Sequence, residues 1–309
     1  MIRKANELNP TKRFRVLISG VPGIAKSTTA LSAPNPLMID ADKGWDRVPA
    51  QFRKGGYIQP ETYEEVLSDL TPENVKDYET LIFDTGGALL TYMKAWAIRK
   101  NPKNGQKDGV TLSMTGFGEI GREFSRLMDY CFYSLAKHIV VVFHVKEEMD
   151  DDRKVFRLDV EGQTRNNIWK AMDVGGFMEA IGEKRVIGFS PTDRYFAKGT
   201  HGISGIMEIP NVMKGEPNDF LTNLFSRINT SITEEAKMGE EYSKLMVLIS
   251  ATIAEVKDEA TANQALNEIK GMAHIFGSKA ESWHSLTEKA GKIGLQYDPI
   301  LKAFKAVKA

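Results

Sequence analysis

Short apolar runs alternate with amphipathic stretches from Phe14 to about Ser190. The runs Phe14–Ser19, Pro36–Ile39, Thr80–Asp84 and His138–Val145 are brief and rich in Val, Ile, Leu and Phe. Such continuous apolar segments predict strands buried on both faces of a parallel sheet. Helical patterns fill the intervals, over Lys26–Leu31, Glu61–Leu70, Ala88–Lys100 and Glu119–Lys137. Strands alternating with helices imply a mostly parallel sheet with helices on both faces. Phe177–Ile181 and Arg185–Phe189 flank a Gly-Glu-Lys turn and predict a hairpin.

The texture changes near Pro217. Glu234–Val256, Ala260–Phe276, Ser278–Gly294 and Pro299–Val307 carry helical periodicity and almost no strand signal. The Gly and Pro residues of Pro210–Pro217 mark the junction. Three regions are expected: a polar lead-in over 1–12, an α/β core over 13–216 and a helical C-terminal unit over 217–309. Trp283, Leu286, Ala290 and Ile293 fall on one helical face, a packing stripe. No internal repeat or low-complexity tract interrupts this plan.

Candidate chemistry begins at the end of the first run. Gly20, Val21, Pro22, Gly23, Ile24, Ala25, Lys26 and Ser27 follow a predicted strand and precede a helix, the context of a P-loop. In that motif main-chain N–H groups cradle phosphates, Lys26 reaches the terminal phosphates, and the Ser27 hydroxyl holds magnesium. Thr28 is the next hydroxyl, on the first turn of the helix. Alanine stands at position 25, where the motif usually has glycine, and carries strain if the loop needs positive φ there. The run Leu81–Asp84 ends in a carboxylate, as a Walker B strand does, so Asp84 is a second candidate for the metal. Its plainer reading is a helix cap.

Further along, Asp40-Ala41-Asp42, Phe83-Asp84-Thr85, Phe117-Gly118, Val142-Phe143-His144 and Tyr195-Phe196-Ala197-Lys198 join the P-loop in one pattern. Over roughly residues 13–205 this pattern resembles the phage-encoded RecA-like ATPases, a group that includes single-strand annealing and recombination proteins. The resemblance implies a RecA-like P-loop NTPase core in the α/β class. It implies ATP and Mg2+ as ligands, with Asp42 as the base that activates water and Asp40 as second choice. It implies His144 as a sensor of the terminal phosphate. Lys198 would reach the triphosphate of a neighbouring subunit, with Arg185 and Arg194 as alternatives. Plainer readings stand beside these: acids closing a strand, a histidine at a strand end, and surface cations.

Composition bounds the partners. Forty-one basic and 41 acidic residues give no net charge, so any nucleic-acid surface is local. One candidate is Lys94, Arg99, Lys100, Lys103 and Lys107, a run without an acid. Another is the segment after His144, with Lys146, Arg153, Lys154, Arg157 and Arg165 among five acids, and with Phe156 and Trp169 able to stack on bases. The lone Cys131 excludes an internal disulfide and fits a cytoplasmic setting, that of the bacterial host if the chain is phage-encoded. No apolar run reaches the length of a membrane span, and the polar start lacks a signal-peptide core. The resulting expectation is an ATPase acting on single-stranded DNA in recombination or annealing, as a homo-oligomeric ring or filament beside phage or host replication and recombination proteins. The alternatives are an ATPase that loads or remodels a replication protein, and an ATP-controlled scaffold with little turnover.

Overall fold

The computed structural model describes residues 13–161 and 164–307. The lead-in expected over 1–12 lies outside the described residues. Two compact units emerge, with the boundary between Asn229 and Thr230.

The larger unit is built on a nine-stranded sheet. Its first six strands in space run parallel: β3 (Gly56–Ile58), β2 (Pro36–Asp40), β4 (Thr80–Asp84), β5 (His138–Asp150), β1 (Arg15–Gly20) and β7 (Val174–Ile181). β8 (Lys184–Gly188) and β9 (Ile206–Ile209) then add antiparallel strands. β6 (Arg153–Leu158) pairs antiparallel with the distal half of β5. The α/β class and the mostly parallel sheet are as the alternating pattern predicts. β2 and β4 are buried throughout, which explains their unbroken apolar sequences.

Helices α1 (Lys26–Ala30), α2 (Tyr63–Asp69), α3 (Pro72–Val75), α4 (Gly86–Lys100), α5 (Met114–Asp129) and α6 (Thr164–Ala171) connect the strands. α5 starts earlier and stops sooner than its periodicity suggested. Ser113 caps it by accepting the Gly116 N–H, and a π turn over Tyr130–Ser134 ends it. The main core lies between α2, α4, α5 and the sheet, around Phe83, Met93, Phe124 and Phe143. Gly86 opens α4 against the Phe143 ring. A Cβ there would lie 2.4 Å from a ring carbon, so only glycine lets α4 approach β5 this closely.

α7 (Phe220–Ala254) begins in the larger unit. Its start is tied to the end of α1: the Ser32 hydroxyl accepts the Leu221 N–H at 2.9 Å, and Asn218 donates to the Thr28 carbonyl at 2.9 Å. Phe225 stacks on His138 at 4.3 Å. His138 accepts the Phe14 N–H through Nδ1. Burial, with Arg13 nearby, pushes the His138 pKa down to about 4.

The smaller unit holds the rest of α7, α8 (Glu259–Lys270), α9 (Ser278–Lys292) and a hairpin of β10 (Leu295–Asp298) and β11 (Ala303–Ala306). Its core gathers Ile249, Ile253, Leu266, Leu286 and Phe304. Asp258 and Thr261 form a reciprocal capping box at the start of α8. The hairpin corrects the helix expected over Pro299–Val307. Asp298 takes the Ile300 and Leu301 N–H groups into a turn, and Asn263 of α8 accepts the Phe304 N–H at 2.7 Å. These partners satisfy the backbone in an extended form. Of the predicted stripe on α9, Leu286 and Ala290 are buried, while Trp283 and Ile293 remain partly exposed.

Candidate nucleotide site

The sheet brings the predicted groups to one edge. Gly20, the last residue of β1, pairs with His144 on β5 and with Met178 on β7. A Cβ on Gly20 would lie 2.8 Å from the Met178 carbonyl, so the chain leaves β1 where a side chain has no room. Val21 to Ala25 form the loop, and Lys26 begins α1. Ala25 adopts φ 71° and ψ 33°, the left-handed conformation that its place in the motif raised. An alanine there costs roughly 1–2 kcal/mol. Glycine removes that strain but loses more freedom on folding. Ala25→Gly is therefore expected to stabilise the protein by about 1 kcal/mol and raise Tm by roughly 2–4 °C. A melt that moves down would contradict the strain at this loop.

Lys26 is 5% exposed. Its ammonium donates to the carbonyls of Gly20 and Val21 at 2.8 Å each and lies 3.2 Å from His144 Nδ1. An ammonium has no acceptor capacity, so Nδ1 of His144 accepts, and the proton of the neutral ring sits on Nε2. Burial and the Lys26 charge both lower the His144 pKa, which keeps the ring neutral near pH 7. Burial pushes Lys26 down to about 8, against the opposing pull of Asp84 and Asp42.

This shift gives a pH dependence with a definite sign. Below about pH 8 the free site already carries the ammonium that a phosphate needs. Above it, binding must take up a proton, and affinity falls by about tenfold per pH unit. Calorimetric Mg·ATP affinities across that range should stay level and then decline. Affinity that holds level well into the alkaline range would contradict it.

Asp84 is also buried, at 5% exposure. The hydroxyl of Thr85 caps α4 by accepting the Ala88 N–H at 3.2 Å, so the Asp84 carboxylate is not spent as a helix cap. It hydrogen-bonds the Ser27 side chain, and burial raises its pKa to about 6 despite that bond and Lys26. A hydroxyl and a carboxylate side by side are hard oxygen donors that fit Mg2+. Among the described residues, no group of three or more His, Cys, Asp or Glu side chains could hold a metal ion. A cation at Ser27 and Asp84 would therefore complete its shell with phosphate and water oxygens.

The two acids after β2 have separated roles. Asp40 accepts the Gly44 and Trp45 N–H groups at 2.8 and 2.9 Å and the Gln59 amide at 2.7 Å. Its lone pairs are thus committed to the turn. The Asp42 N–H donates to the Asp84 carbonyl at 3.2 Å, which places it at the pocket. Its carboxylate meets Arg47 at 2.7 Å. Arg47 was not marked by any motif.

Lys26, Ser27, Asp42, Asp84, His144 and Arg185 line one cavity of 280 Å³. Val48, Pro49 and Phe52, together with Val212 and Met213, supply its apolar walls. Sequence reasoning missed those walls because they sit in connecting segments without periodicity. Lys198 is elsewhere: its backbone bridges Gly175 at 2.8 Å and its ammonium donates to the Met172 carbonyl. It lines a different cavity of 590 Å³ beside the β5–β6 hairpin, with Trp169 and Arg194. Arg194 pairs with Glu179 at 3.5 Å.

The basic runs are largely paired. Arg99 meets Glu64 at 2.8 Å and Lys100 meets Glu119 at 3.1 Å. The segment after His144 was expected to be loop, but β5 continues through Asp150 into the β6 hairpin. Cross-strand pairs of Lys154 with Glu147 and of Arg157 with Asp150 hold it. Phe156 packs on Phe177, and Trp169 meets Phe196 edge to face. No helix among the described residues is long and apolar enough to cross a membrane.

No curated protein matches the chain. Among solved structures, the ATPase domain of a phage helicase is similar over 64% of this chain and 81% of that one, at 12% identity and a TM-score of 0.39. The AAA domain family matches residues 12–201, the stretch that carries the P-loop, Asp42, Asp84 and His144. By that match, which spans more than half of its length, the chain belongs to the AAA domain family and contains an ATPase domain of the P-loop type.

Proposed function

We propose that the protein is a Mg2+-dependent, RecA-like ATPase that acts on single-stranded DNA in recombination or annealing, as a homo-oligomeric ring or filament. The convergence of Lys26, Asp42, Asp84 and His144 on one cavity carries the ATPase reading. β5 lies between the P-loop strand and the Asp84 strand, so its end reaches both. The resemblance of the motif pattern carries the DNA reading.

Lys26 leaves the loop carbonyls and neutralises the terminal phosphates. Ser27 and Asp84 would hold the cation, which supplies charge neutralisation to the phosphate oxygens. The Asp42 carboxylate, oriented by Arg47, accepts a proton from the attacking water. His144 offers its Nε2–H to the terminal phosphate and loses that acceptor after hydrolysis. The His144 carbonyl accepts the Asp159 N–H at 2.9 Å, where the chain leaves β6. A shift at His144 is thus passed to the β5–β6 hairpin through main-chain bonds.

The ion-paired faces of that hairpin favour a second reading, an ATPase that loads or remodels a replication protein. Cations already paired with acids attract phosphates weakly. An ATPase assay with and without single-stranded DNA separates the two, alongside mass measurement with and without nucleotide. Stimulation by DNA and nucleotide-dependent assembly support recombination. Stimulation by a protein partner alone would overturn it in favour of loading.

A further inference from the structure

Arg185 sits near the start of β8, on the edge of the sheet that carries the P-loop. Met178 on β7 is level with Gly20, and Ala180, two residues further up β7, pairs with Arg185. From there the partly buried Arg185 side chain lines the same cavity as Lys26 and His144.

Its neighbours leave it without a counter-ion. Glu179 is held by Arg194 at 3.5 Å, Glu183 by Lys214 at 3.2 Å, and Glu208 by Lys184 at 2.8 Å. Among the described residues, Arg185 forms no ion pair and no side-chain hydrogen bond. A partly buried guanidinium, with five donors in a planar fork, is costly to leave unmatched.

The charge of the cavity points the same way. Asp84 faces Lys26, and Asp42 is paired with Arg47 at 2.7 Å. Both couples are close to neutral. A magnesium-bound triphosphate brings roughly two net negative charges at neutral pH. Arg185 is the cation on this wall that no acid offsets.

We propose that Arg185 binds the polyphosphate of its own P-loop, in cis, as a bidentate phosphate ligand and positioning group. This rests on the reading of the cavity as a triphosphate site. It differs from a reach into a neighbouring subunit, because Arg185 and Lys26 line one cavity of one chain.

The test uses the full chain with Mg·ATP as the probe. Arg185→Ala and the bulk-preserving Arg185→Gln should each weaken Mg·ATP binding by about 10–100-fold, the scale of a charge-assisted bidentate contact. Arg185→Lys should fall between them and the parent, since lysine keeps the charge but not the fork. Parental melting temperatures for these variants are expected, because Arg185 has no structural partner to lose.

Mixing decides between cis and trans. Subunits carrying Lys26→Ala are mixed with subunits carrying Arg185→Ala. In cis, every site lacks one group and turnover stays lost. Turnover restored on mixing would place Arg185 at a neighbour's site and overturn the proposal. Parental Mg·ATP affinity in both Arg185 variants, with the parent protein binding normally, would overturn it as well. Failure of the parent itself to bind Mg·ATP would instead overturn the triphosphate reading, and this assignment with it.

Discussion

Lys26→Ala is expected to abolish ATP turnover, with a fall on the order of 10²–10³-fold or more and a comparable loss of Mg·ATP affinity. The ammonium is held in place before ligand arrives, by the Gly20 and Val21 carbonyls at 2.8 Å and by His144 at 3.2 Å. Phosphate therefore meets a charge that needs no reorganisation. The fold should survive the change. Burial disfavours the Lys26 charge, as its lowered pKa shows, so the residue sits there at a cost to stability. A thermal melt at or above the parental Tm, together with lost turnover, would assign the effect to the site. Parental turnover in a folded variant would contradict the assignment of the P-loop.

Asp42→Asn is expected to separate binding from chemistry. The amide keeps the size of the side chain and can still meet Arg47, but it cannot take a proton from water. Removal of a general base slows chemistry by about 10²–10⁴-fold. Mg·ATP affinity should change little, because Lys26, Ser27 and Asp84 are untouched. Single-turnover hydrolysis alongside equilibrium binding reads the two effects independently. Arg47→Ala should slow turnover less, since it removes the orienting partner and leaves the carboxylate. If Asp42→Asn hydrolyses ATP at the parental rate, Asp42 serves only to anchor Arg47 at 2.7 Å.

The parts of this site that were legible in the sequence are those governed by local rules. Buried parallel strands write themselves as unbroken apolar runs, so β1, β2, β4 and the first half of β5 stand out. Their C-terminal ends mark where the P-loop, Asp84 and His144 meet. Ala25 was legible too, because the motif fixes a backbone shape that alanine disfavours and φ 71° confirms.

Distant partners were not legible. The polar residues from Lys146 to Asp150 read as loop, yet they alternate in a strand whose charges are answered across the hairpin by Lys154 and Arg157. Nothing local distinguishes a paired charge from a solvated one. The last nine residues expected to be helical form β10's turn and β11 because Asn263, some forty positions earlier, captures the Phe304 backbone. Asp40 and Asp42 look alike in sequence. Only the turn that uses up Asp40 and the main-chain bond from Asp42 to Asp84 tell them apart. Arg185 was visible as a cation, but the three neighbouring acids taken by other cations are a tertiary fact.

Titration calorimetry of the parent protein with ATP and magnesium reads the central claim most directly. One triphosphate per chain should bind, with affinity that weakens above about pH 8 as Lys26 loses its proton. Folded protein that takes up no nucleoside triphosphate at neutral pH, with the divalent cation in excess, would contradict the account from the P-loop outward.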